Sequence, residues 1–145
     1  STSDYSASRS TGDKLDIADA SGCLSYINTN YHDDDKSVMQ IAVDCYVYNR
    51  DRARLHSHLV QLATTAYKTP KMAQKYANTM ARIVGDELMG KSKTDAEKAA
   101  DLRVDKSVYS RCHAPVFDAV FSEIFKPISK ADSLAGRYWR ECKLT

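Results

Sequence analysis

The chain has 145 residues, 43% hydrophobic and 28% charged, enough for one domain with a sizeable core. The formal net charge is only +2, and no apolar run approaches the roughly 18 residues of a membrane span. The first residues have neither the apolar core nor the basic start of a secretory signal, so we expect an intracellular protein with no membrane partner. Secretion fits only a chain already processed to its mature form.

Four cysteines, Cys23, Cys45, Cys112 and Cys142, are widely spaced and form no CxxC pair. That argues against a zinc ribbon or a dense disulfide framework and for free thiols. The small net charge hides a segregation. Residues 1–49 carry three basic and eight acidic side chains, whereas residues 50–91 carry eight and three. Such separation points to a partner's field, or to an acidic third that docks on the basic third.

In chain order, seven of the first twelve residues are Ser or Thr, with Tyr5 the one large apolar group. This segment buries too little to offset its ordering entropy and reads as a disordered tail, residues 1–12. A short helix is expected after Asp13, interrupted at Gly22. The aspartates Asp33, Asp34 and Asp35 suit the N-terminus of the next helix. Beyond them, Val38, Ile41, Ala42, Cys45 and Tyr48 share a helical stripe, but Met39, Ile41, Val43, Cys45 and Val47 also alternate. The helix is our expectation here. The alternative is an α+β fold with a β-hairpin in residues 38–60.

Between Arg52 and Tyr67, Leu55, Leu59, Leu62 and Ala66 fall on one helical face. Thr69-Pro70 breaks the chain, and Pro70 suits the first turn of a helix carrying Met72, Tyr76, Met80 and Ile83. Thr94 and Glu97 form a capping box for a helix that runs on toward Cys112, with a restart at Asp105. After Pro115, Val116, Phe117, Val120, Phe121, Ile124 and Phe125 make a broad apolar face, and Lys126-Pro127 is expected to end it. This helix is expected to be central to the core, and truncating Phe121 to Ala to cost about 3–5 kcal/mol. A last helix carries Leu134, Tyr138, Trp139 and Cys142. The expected fold class is therefore all-α: a single compact bundle of five or six helices over residues 13–145, behind the tail.

Function must be sought in constellations. From Arg50 to His58 every second residue is Arg or His. Placed on a helix, Arg50, Arg54 and His58 keep one polar stripe with Gln61 and Thr65, while Arg52 and His56 move to the flank of the apolar face. The helix after Pro70 presents Lys71, Gln74, Lys75, Asn78 and Arg82. The pair joined by Thr69-Pro70 has the order of a helix-turn-helix, in which the second helix enters the major groove. Asn and Gln side chains read adenine, and Arg and Lys hold guanine or phosphate. The small residue usual in that turn is missing, and an ordinary helical hairpin with a solvated face explains the same pattern.

Tyr46, Tyr48, Tyr67 and Tyr76 lie near the basic middle, where they serve either base stacking or a core boundary. Asp33, Asp34 and Asp35 beside His32, with Asp16 and Asp44, are carboxylates of a kind that hold a divalent cation, although three adjacent aspartates more often cap a helix. Cys112-His113 pairs a nucleophile with a base in name, but adjacent residues seldom reach each other productively. We therefore expect a non-enzymatic binding protein without cofactor or resident metal. Its basic middle, residues 50–82, would contact nucleic acid or another polyanion through Arg50, Arg54, His58, Lys71, Gln74, Lys75, Asn78 and Arg82. The alternatives are a homo-oligomer joined through acidic and basic thirds, or docking on an acidic protein surface, and then a metal-dependent enzyme built on the aspartates.

Overall fold

The computed structural model describes the backbone of residues 12–143 and the side chains of residues 20–142, and no strand occurs among them. The fold is all-α. Its elements are α1 (Gly12–Asn30), α2 (Lys36–Tyr48), α3 (Arg52–Ala66), α4 (Pro70–Leu88), α5 (Asp95–Leu102), the single turn α6 (Lys106–Val108) and α7 (Ala114–Tyr138). A π-helical turn, Tyr109–His113, joins α6 to α7, and another, Trp139–Lys143, follows α7. The expected tail, residues 1–12, lies outside the described residues except for Gly12. Contacts divide the chain into two compact units, one of residues 37–128 and one that takes residues 12–36 and 129–143.

Residues 38–48 and 52–60 are helical, and the segment is not a β-hairpin. Met39, Ala42 and Cys45 are buried one helical turn apart, whereas Val47, which a strand would turn inward with Met39 and Cys45, is 46% exposed. Asn49 and Asp51 then take left-handed backbone angles, φ 53° and 57°, which end α2 and redirect the chain into α3. Asn and Asp tolerate that region better than other residues with a Cβ.

Thr69 caps α4, its hydroxyl oxygen accepting the Met72 N–H at 3.1 Å, and Pro70 occupies the first turn. The α3–α4 packing uses small residues. Ala73, Ala77 and Ala81 are buried at four-residue steps on α4, and Gly85 continues the row beside Leu59. A row without bulk lets two helices approach closely. Leu55, Leu59 and Ala63 are the buried positions of α3. Met80, Ile83 and Val84 extend the α4 core, while Met72 and Tyr76, expected inside, are half-buried.

The Thr94–Glu97 capping box forms as expected. Arg103 turns left-handed at φ 59° to close α5, and the helix restarts after Asp105. In α7 the buried line is Val116, Val120 and Ile124. The phenylalanines flank it: Phe117 and Phe121 are half-buried, stacked at 5.9 Å, and Phe125 is 47% exposed. Pro127 does not end the helix, which runs on to Tyr138 with Pro127 buried inside it. The separate last helix expected after Lys130 is thus the continuation of α7.

In the other unit, α1 passes straight through Gly22. A Cβ there would lie 2.5 Å from the Tyr138 hydroxyl, so glycine serves close approach instead of a break. Cys23, Ile27 and Tyr31 are buried at four-residue steps. Arg137 Nε donates to Tyr26 Oη at 2.7 Å, and the Tyr26 and Tyr138 rings lie 5.5 Å apart.

Candidate functional site

The α3–α4 pair is an antiparallel hairpin whose helices lie side by side. Cavities between them run from Tyr67 and Pro70 beside the connection to Arg52 and Asp86 at the far end. A helix-turn-helix crosses at roughly 90–120°, so this pair lacks that geometry. The solvated hairpin is what the Thr-Pro connection builds.

All five expected α4 residues, Lys71, Gln74, Lys75, Asn78 and Arg82, are exposed. Lys71, Lys75, Asn78 and Arg82 succeed one another at three- and four-residue steps, and Gln74 lies beside them on the same face. Lys71 and Arg82 make no ion pair among the described residues, and Lys75 lies 5.4 Å from the ring centre of Tyr76. At about 1.5 Å per residue the row spans roughly 16 Å from Lys71 to Arg82.

The α3 contribution differs from the expected one. Arg50 lies 3.7 Å from Asp44, with its guanidinium 4.5 Å from the Tyr48 ring centre. Arg54 lies 3.8 Å from Asp51. His58 is half-buried, and burial holds its imidazole below the ordinary value against the opposing charge of Glu123 on α7. None of these three lines the cavities between α3 and α4. Arg52 and His56 do: both line a cavity of about 250 Å³ with Arg82 and Asp86, and His56 Nε2 lies 2.5 Å from Asn78 Oδ1. An amide oxygen only accepts, so His56 carries its proton on Nε2 and donates.

Sequence spacing puts Arg52 and His56 on a flank, outside the expected contact line. The signal present in the chain is the four-residue line Arg52, His56, Val60, Thr64. All four residues line one cavity or the other against α4, but only the pairing of helices tells which flank is covered.

A second cluster has no counterpart in the sequence pattern. At the π turn His113 is buried, and its Nδ1 lies 2.7 Å from Tyr67 Oη. The rings of Tyr76, Tyr67 and Tyr109 surround it at 4.5, 5.5 and 6.3 Å. Its Nε2 has no hydrogen-bond partner. Burial lowers the His113 pKa and raises that of Tyr67, and it is the first cause pushing Tyr109 up to about 12. Cys112 is half-exposed beside it. Tyr67 is therefore a core residue and Tyr76 is packed against that core, while Tyr46 and Tyr48 are 60% and 42% exposed.

The aspartates turn to a cation of the chain. Lys130 Nζ lies 3.0 Å from Asp33 and 3.3 Å from Asp35, and Tyr31 Oη donates to Asp35 at 2.6 Å. Burial opposes ionisation of Asp35, but the Tyr31 hydroxyl and Lys130 outweigh it and hold the carboxyl below its usual value. Among the described residues no three His, Cys, Asp or Glu side chains converge as a metal site needs. No disulfide forms among the described residues; Cys23 and Cys45 are buried thiols and Cys142 is exposed. No described helix is long and apolar enough to cross a membrane.

Comparison with protein-family models, with curated proteins and with solved structures returns no match.

Proposed function

We propose that the chain is a non-enzymatic binding protein that holds the phosphate backbone of nucleic acid, or a comparable polyanion, on the solvent face of α4. The observation that carries this reading is the exposed row Lys71, Gln74, Lys75, Asn78 and Arg82, which contains no carboxylate. Over its roughly 16 Å a B-form strand, rising about 3.4 Å per nucleotide, presents about five phosphates. Asn78 Oδ1 is already engaged by His56, so Gln74 is the amide of the row that keeps both its acceptor and its donors open to a base edge. The face therefore suits backbone positioning more than sequence reading.

Anisotropy titrations with labelled single- and double-stranded oligonucleotides across salt concentration test the reading. Binding should weaken steeply with salt. The pair Lys71→Ala and Lys75→Ala should lower the salt slope by about one to two, since each phosphate contact contributes roughly 0.7–0.9. Absence of binding at low salt, or an unchanged slope, overturns it.

Assembly through acidic and basic thirds has less support, because Asp33 and Asp35 already share Lys130 within the chain.

A further inference from the structure

The cavity at the open end of the hairpin combines features that the exposed row alone lacks. Arg52 and His56 reach it from α3, and Arg82 from α4. Neither arginine makes an ion pair among the described residues, although Asp86 lines the same wall. The His56–Asn78 bond bridges the two helices one turn from each arginine, so it ties the cavity's polar rim across the hairpin. Buried Leu55, Leu59 and Ala81 form its floor. An apolar floor lowers the local dielectric and strengthens a charged contact above it. A guanidinium presents a planar fork that matches two phosphate oxygens.

We propose that this cleft is a phosphate subsite, in which Arg52 and Arg82 grip one phosphodiester group of a strand lying along α4. The proposal rests on the backbone-binding reading above and sharpens it to a site. At about 250 Å³ the cavity falls below the roughly 300–1,000 Å³ of small-molecule pockets, which favours a single phosphate over a whole nucleotide. Asp86 opposes the anion from the wall, so its charge limits affinity.

Two titrations on the full chain test this. In the first, the arginine Nε resonances are followed by NMR against dimethyl phosphate, a diester without bases. In the second, oligothymidylate binding is measured for Arg52→Lys, Arg82→Lys and Asp86→Asn. Saturable shifts at Arg52 and Arg82 are expected. Each lysine variant, which keeps the charge and loses the fork, should weaken oligothymidylate binding by about tenfold. Asp86→Asn should tighten it. Circular dichroism confirms that these variants remain folded.

Lysine variants that bind as tightly as the parent overturn the subsite while leaving the α4 reading intact. Arginine resonances indifferent to dimethyl phosphate also overturn it. If the resonances respond but no oligonucleotide binds, the subsite stands as a phosphate site and the nucleic-acid reading falls.

Discussion

Tyr67 Oη and His113 Nδ1 meet at 2.7 Å across 46 residues of chain, tying the end of α3 to the π turn ahead of α7. The bond satisfies one imidazole nitrogen and leaves Nε2 unpaired in a wall of tyrosine rings. A neutral ring tolerates that setting, and a charged one does not.

Acid should therefore destabilise the fold through His113. Its folded pKa lies below the unfolded value of about 6.5, so the unfolded chain binds the proton first. The contribution is flat above about pH 7 and is lost as pH falls through about 6.5 toward the folded pKa. Melting temperature measured from pH 7.5 to 5 should drop, and His113→Phe should flatten that slope. His58 shifts in the same direction, so His58→Gln should flatten it further. A His113→Phe profile parallel to the parent's would refute the assignment.

Removing the Tyr67 hydroxyl separates the bond from the charge. Tyr67→Phe strips His113 of its partner and should cost about 1–3 kcal/mol in denaturant unfolding at pH 7.5.

The two apolar rows of α7 should differ sharply. Ile124 is fully buried, so Ile124→Ala should cost about 2–5 kcal/mol. Phe121 is only half-buried and leans on Phe117 and Phe125, so Phe121→Ala should cost about 1–2 kcal/mol, below the range for a core phenylalanine. Equal losses would place Phe121 in the core after all.

Helix ends offer a third pair. Arg103 holds a left-handed angle that costs a residue with a Cβ about 1 kcal/mol, so Arg103→Gly should be neutral to stabilising. Thr94→Ala removes the side-chain half of the capping box and should cost about 1 kcal/mol.

Local chemistry made the helices legible. Thr69-Pro70, the Thr94–Glu97 box and the row Leu55–Leu59 act within a few residues and reappear in the structure. Where the outcome depends on what packs against a face, pattern misleads. Phe121 outweighs Val120 in hydrophobicity, yet Val120 takes the inside, and Ala77 lies deeper than Tyr76 because α3 comes close. Pro127 reads as a stop, but a buried proline within a packed helix is tolerated. For the candidate site, the α4 row was visible as spacing. Arg52 and His56 were not, because helix pairing decides between two flanks that look alike in sequence.

The π turn also acts on phase. An α-helix advances about 100° per residue, and a π turn takes in one residue more than an α turn, so the helix beyond it is rotated by about that angle. Val116, Val120 and Ile124 face inward with that offset in place. Deleting Ser110, an exposed residue within the turn, would swing the row aside by about a quarter-turn and bring the flank toward the core. The length of this turn is thus a register setting for the longest described helix, and a single-residue deletion there should harm the fold more than most substitutions of its surface residues.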